Sequence, residues 1–217
     1  MIEGIFLFDK PPGISSAKFL NRIKQLWKIG RGIRVGHGGT LDPFARGLLV
    51  VAIGRTYTKQ LGEVLKNTDK EYEVEMVIGA YSDTDDIEGD IKTVGAGDIS
   101  KEHIRAAVDE VAARTTQTPP AYSAIKVDGE EAYKKARRGE NVSLQPRPVS
   151  VKEYEMLSVQ KEGEYIITRV RLVVSSGFYV RSFVHDVGEV LGVGAYARKL
   201  VRTRIGTFYL KDAKKLE

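Results

Sequence analysis

Three stretches of the sequence set charged or polar side chains among glycines and apolar residues, where a packed core would not hold them without a task. The first is HGGTLDPFARGLLV, His37 to Val50. Asp42 stands in a turn just ahead of an apolar strand, so a rigid element carries its carboxylate, as a nucleophile or general base requires. Asp-Pro is also an ordinary turn pair, and His37 is equally able to cap or pack. The second is SSGFYVRSFVHDVG, Ser175 to Gly188, in which Arg181 falls on the first turns of a helix whose Phe183, Val184 and Val187 are apolar. A guanidinium beside a buried face needs an anion, and Asp42 fits that need; the arginine would then keep the carboxylate ionised and ready to attack. A structural salt bridge or a surface arginine accounts for the same residue. The third is DKEYEVEM, Asp69 to Met76, where the ring of Tyr72 either lies flat beneath a nucleobase or packs into a core.

Other chemistries lack their residues. The acidic loop DTDDIEGD, Asp83 to Asp90, invites comparison with a calcium loop, but Ile87 stands where a further Asp or Asn is needed and Glu88 where Gly is needed. There is no phosphate-binding P-loop, no G-x-G-x-x-G between strand and helix, no H-E-x-x-H and no G-x-S-x-G, so no cofactor and no metal are expected. The absence of cysteine excludes disulfides and thiolate metal sites and fits a reducing compartment, with cytoplasm the default. No apolar run approaches the ~20 residues that span a bilayer, and Met1-Ile2-Glu3 lacks the basic start of a signal peptide.

The formal charge of +5 favours polyanionic partners, and its distribution says more than its sum. From Lys10 to Leu41 there are seven basic residues, Lys10, Lys18, Arg22, Lys24, Lys28, Arg31 and Arg34, and no acid. A second acid-free run holds Arg198, Lys199, Arg202 and Arg204. Brought together by folding the two would line a phosphate-binding groove; apart, they are ordinary solvated faces.

These residues need elements to hold them, and the patterning supplies a set. Gly4 to Asp9 reads as a strand closed by Lys10-Pro11-Pro12-Gly13, after which Ser15 or Ser16 caps a basic amphipathic helix with Phe19, Leu20, Ile23, Leu26 and Trp27 on its apolar face. A glycine-rich loop, Gly30 to Gly39, leads through Asp42-Pro43 to a strand at Leu48 to Ile53 and a helix near Thr58 to Leu65. Tyr72 to Ile78 alternates like a half-buried strand, Ser100 caps another helix, Tyr122 to Val127 reads as a strand, and Glu130 to Arg138 as a short basic helix. Val149 to Val159 and Tyr165 to Ser175 form a hairpin, and Tyr179 to Leu191 a helix ending in glycines. Strands outnumber β-α-β crossovers, so the expected fold is α+β, a mixed, mainly antiparallel central sheet with peripheral helices, in one domain over residues 1–217.

Five blocks, DKPPG with Ser15-Ser16, VGHGGTLDPFARGLLVVAIGRTYTK, DKEYEV, QTPPAYSAIKVDGEEAYKKARRG and SSGFYVRSFVHDVGEVLGVGAYARKLVRTRIG, resemble the tRNA pseudouridine synthase B family in order across nearly the whole chain. The resemblance implies the pseudouridine synthase fold and isomerisation of a uridine in the T stem-loop of tRNA, position 55 by convention, without a cofactor. Asp42 maps onto the family's catalytic aspartate, Tyr72 onto the tyrosine stacked on the target base and Arg181 onto the arginine paired with that aspartate. His37 maps onto the histidine that receives the flipped nucleotide, Lys10 and Leu200 match pocket positions, and Tyr179 and Arg202 complete the substrate-binding candidates. Family members commonly continue into a C-terminal RNA-binding PUA domain. This chain stops at Glu217, so no such domain and weaker tRNA binding are expected, as is a monomer without membrane or obligate protein partner. A guide-dependent synthase of H/ACA type and a non-catalytic tRNA chaperone are the competing expectations, while a nucleoside glycosidase would want a second catalytic carboxylate.

Overall fold

The computed structural model describes residues 2–216. In chain order the elements are β1 (Gly4–Lys10), α1 (Ser16–Leu26), β2 (Val35–Gly38), β3 (Arg46–Ile53), α2 (Arg55–Val64), β4 (Lys70–Ile78), β5 (Ala80–Ser82), β6 (Ile91–Thr93), α3 (Lys101–Ala112) and β7 (Thr116–Gln117). They continue with β8 (Lys126–Val127), β9 (Glu130–Glu131), α4 (Ala132–Arg137), β10 (Arg147–Pro148), β11 (Val151–Glu162), β12 (Tyr165–Val174), α5 (Val180–Leu191), β13 (Ala195–Ile205), β14 (Phe208–Tyr209) and a 3-10 turn at Leu210–Asp212. The chain folds as two compact units, Met1–Glu73 with Lys199–Glu217, and Val74–Arg198. No helix among the described residues is long and apolar enough to cross a membrane.

The first unit is organised by β3, whose run LLVVAI is buried on both faces. Leu49, Val51 and Ile53 pack with Phe8 of β1 and with Phe19, Leu20 and Ile23 of α1, while Leu48, Val50 and Ala52 pack with Leu61 of α2 and Ile205 of β13. Each large apolar side chain so covered contributes roughly 1.5–3 kcal/mol. Strand β1 runs antiparallel along one edge of β3, from Gly4 opposite Ile53 to Lys10 opposite Gly47. The other edge takes β2, antiparallel at residues 50–53, and then β13, parallel at Arg46 and Gly47. Helix α1 starts where Ser15 accepts the Lys18 amide at 3.2 Å.

In the second unit β4, β12 and β11 are successive strands. β11 and β12 form an antiparallel hairpin, with two register shifts in the long outer strand that bend its edge. Helix α3, capped by Ser100, buries Ile104, Ala107, Val108 and Val111 and packs on α5, which ends at the left-handed Gly192. The α+β expectation, a mixed and mainly antiparallel sheet with peripheral helices, describes the molecule.

Local differences have local causes. Only Lys126–Val127 of the expected Tyr122 to Val127 strand is paired, because the Tyr122 carbonyl accepts from Arg181 and the Ser123 and Ile125 carbonyls accept from the Tyr133 and Ala132 amides. Helix α4 is shorter than expected because Glu130–Glu131 is spent on that hairpin. The glycine-rich loop contains strand β2, and Leu26, counted on the apolar face of α1, is 49% exposed.

Candidate active site

Asp42 lies between β2 and β3 in a half-buried loop whose backbone is fixed on both sides. Ahead of it, the hydroxyl of Ser16 accepts the Leu41 amide and donates to the Leu41 carbonyl, both at 2.9 Å and both buried. Earlier still, the Arg202 guanidinium donates to the carbonyls of Gly39 at 2.8 Å and Thr40 at 3.4 Å, and its Nε to that of Leu48 at 2.9 Å. Behind Asp42, the Pro43 carbonyl accepts from the Gly13 amide at 2.8 Å and from Lys10 Nζ at 3.4 Å. The Ala45 amide closes the turn on the Asp42 carbonyl at 3.2 Å. Four separate parts of the first unit, Lys10, Gly13, Ser16 and Arg202, therefore converge on the five residues 39–43. A carboxylate on such a support is aimed before any substrate arrives.

This geometry changes the roles expected of two residues. Arg202 is 1% exposed and its guanidinium is directed to loop carbonyls, so it braces the Asp42 loop from within and does not face phosphate. The cationic brace also sits close to Gly39 and His37. Lys10, fully buried, likewise serves the loop, bonding Pro11 and Ile14 carbonyls as well as Pro43. The second basic run is neutralised rather than held open: Arg198 pairs with Glu75 at 2.7 Å and Glu162 at 3.3 Å, and Arg204 lies 3.9 Å from Glu71.

His37, on β2 three residues ahead of Thr40, is half-buried and its Nδ1 is buried with no hydrogen-bond partner. Burial, and secondarily the Arg202 charge, hold its pKa below the ordinary imidazole value. The ring is therefore neutral near pH 7, with one nitrogen buried and unsatisfied among the described residues. Tyr72, on β4, is 7% exposed, and Leu200, on β13, 6%. Lys70, also on β4, is held below the ordinary lysine range by burial and then by Arg202.

Arg181 and Tyr179 belong to the second unit. Arg181, on the first turn of α5, is 3% exposed and satisfies the demand for an anion with Asp86, whose carboxylate lies 3.5 Å from Nε and is itself buried. Its terminal nitrogens donate to the carbonyls of Thr84 at 2.9 Å and Tyr122 at 2.8 Å. The acidic loop thus supplies a counter-ion for a buried cation. One turn along α5, His185 Nδ1 lies 3.0 Å from Asp85, which raises the histidine pKa chiefly through that hydrogen bond. Tyr179 caps α5, its amide and carbonyl both clasped by the Gln117 side chain at 2.8 and 2.9 Å.

Ser16 was marked only as an alternative helix cap and as part of the first block of the resemblance, and the cap is Ser15. Gly47 was not singled out: its φ is +115°, and a Cβ there would run into the Arg202 backbone.

Residues 24–180 match the family model described as TruB family pseudouridylate synthase (N terminal domain). The chain is 42% identical over 212 residues to tRNA pseudouridine synthase B of Cutibacterium acnes, covering 97% of this chain and 70% of that protein. It is 40% identical over 216 residues to the protein of the same name from Mycobacteroides abscessus, covering 99% and 71%. Among solved structures, a Cbf5-Nop10-Gar1 complex contains a chain that aligns with TM-score 0.69 at 29% identity, over 98% of this chain and 52% of that one. An H/ACA RNP bound to a substrate RNA containing 2'-deoxyuridine aligns with TM-score 0.65 at 26% identity, over 98% and 50%.

Proposed function

The chain belongs to the TruB family of pseudouridylate synthases, and from that premise we propose that it converts a uridine in the T loop of tRNA, position 55 by convention, to pseudouridine with Asp42 as the catalytic carboxylate. The observation that carries the reading is the bracing of the Asp42 loop by Ser16, Arg202, Lys10 and Gly13, since a carboxylate that must meet one face of a nucleotide gains from being held still.

The reaction breaks the bond from C1′ to N1, rotates the base and forms a bond from C1′ to C5; C5 loses a proton and N1 gains one. Atoms and electrons balance within the substrate, so the chemistry asks for no redox partner and no energy input. Attack of the carboxylate at C1′, attack at C6, and elimination to a glycal share one requirement, an ionised aspartate beneath sugar and base. A loop uridine must leave its stack to be reached, at a cost of a few kcal/mol. In this reading Tyr72 stacks on the extruded base, neutral His37 helps receive the nucleotide and Leu200 lines the pocket.

The relatives that support tRNA as substrate are 40–42% identical, against 26–29% for the matched chains of the Cbf5-Nop10-Gar1 complex and the H/ACA RNP, which favours tRNA over a guide-dependent role. The reading includes action in the cytoplasm as a monomer without a protein partner. Incubating the purified chain alone with an unmodified tRNA transcript, then mapping pseudouridine by carbodiimide adduct and primer extension, tests it. A new stop at the T-loop uridine is expected. No stop anywhere, or a stop only when a guide RNA is added, would refute it.

A further inference from the structure

We propose that the outward stripe of α1, continued by Lys28, Arg31 and Arg34, is a phosphate track that grips the RNA backbone beyond the flipped nucleotide. This rests on the reading of the protein as an RNA-modifying enzyme and adds the surface that holds the substrate outside the pocket.

The placement follows from Ser16. Its two bonds to Leu41 fix the first turn of α1 beside the Asp42 loop, so the helix, about 16 Å long at 1.5 Å per residue, leads away from the catalytic carboxylate. Phe19, Leu20 and Ile23 face the core, while Lys18 and Arg22, one turn apart, are exposed on the opposite side. Lys28, Arg31 and Arg34 are exposed in the segment that follows.

None of these five cations has a carboxylate partner among the described residues. Elsewhere Arg46, Arg114, Arg138, Arg171 and Arg198 are paired, while the exposed Arg55, Arg105, Arg137 and Arg147 have no ion pair among the described residues but lie scattered over other elements. Two of the five sit where fold stability alone would choose another residue. The first turn of a helix favours acids, because its free amides carry positive partial charge, yet α1 has none there and carries Lys18. The position after the C-cap favours glycine, yet Lys28 adopts φ 48°, with the Ile29 amide bonded to the Lys24 carbonyl across it. At the start of α1 the charge of Lys18 runs against the helix dipole, and at its end a lysine occupies a left-handed position that glycine would hold with less strain. A polyanion is the partner that rewards both charges.

The test uses the whole chain with full-length tRNA transcript, measuring binding against NaCl concentration and steady-state turnover. In Lys18→Gln/Arg22→Gln, the plot of log affinity against log salt should flatten by about 1.4–1.8, or ~0.7–0.9 per lost contact, with affinity falling roughly 15- to 25-fold at 0.15 M salt. The loss should appear in KM rather than in kcat. Lys28→Gly separates binding from folding: glycine relieves the left-handed position, so the melting temperature should rise while tRNA affinity drops roughly four- to fivefold. Native salt slope and KM in both variants would overturn the track. Failure of the native chain to form pseudouridine would instead count against the underlying function, whatever the slopes.

Discussion

Replacing Ser16 by alanine removes one oxygen and, with it, both hydrogen bonds that hold Leu41, the residue preceding Asp42. Ser16 is 2% exposed and Leu41 3%, so the orphaned Leu41 amide and carbonyl have little access to water. A buried backbone group left unpaired costs about 1–3 kcal/mol, and two together about 2–6; the better helix propensity of alanine returns only a few tenths. A net loss of ~2–5 kcal/mol leaves a protein of ordinary stability folded at 25 °C but lowers its melting temperature by roughly 4–20 °C for this chain length. The same change frees the loop ahead of Asp42, and a displacement near 1 Å at a reacting group is worth up to ~100-fold in rate. Calorimetry and steady-state turnover on tRNA at 25 °C should therefore show a reduced melting temperature and a kcat lowered at least ~10-fold, with KM little changed. Ser16→Thr, which keeps a hydroxyl, should recover part of both. A melting temperature within ~1 °C of native together with an unchanged kcat would refute the claim that this hydroxyl positions the loop.

Three further outcomes follow from the geometry. Arg181→Ala leaves Asp86 buried without its cation and should cost ~3–5 kcal/mol by denaturant titration; native stability would show that Asp86 is satisfied without it. Gly47→Ala meets both the Arg202 backbone and a φ of +115° closed to alanine, so a loss of at least ~3 kcal/mol or failure to accumulate soluble protein is expected, against which a native melting curve would stand. The raised pKa of His185 means that its bond to Asp85 stabilises the fold fully below the ordinary histidine value of ~6.5 and is lost as pH rises through the higher folded value. The melting-temperature advantage of native protein over His185→Gln should accordingly be largest below pH ~6.5 and shrink as pH rises above it, and a constant difference would remove His185 as its source.

Elements with one clean period were legible. The core face of α1 and the alternation of β4 follow from local sequence because one face of each is buried and the other is not, whereas β1 reads as a short apolar run packed on both faces and the β11–β12 hairpin as two strand segments joined at a turn. Strand β13 was not, since its alternation is interrupted by Arg202, an arginine buried in a position that normally takes a hydrophobe. Its compensation is three carbonyls on Gly39, Thr40 and Leu48, more than 150 residues earlier, and no local pattern announces such partners. The same holds for Ser16 and Leu41, 25 residues apart. The placement of Asp42 just before an apolar strand was visible, whereas the contacts that steady its loop are tertiary. The two-unit organisation was hidden for another reason: strands β4 and β13 each run through a boundary, so no linker marks it.

The central claim is that Asp42, held on its braced loop, performs the isomerisation. Tritium release from tRNA transcript labelled at uridine C5 reads the loss of the C5 proton directly, and Asp42→Asn keeps the size of the side chain while removing its charge. Stoichiometric release by native protein and none by Asp42→Asn, with tRNA binding retained in both, is the predicted result. Release by the asparagine variant at the native rate would contradict the account.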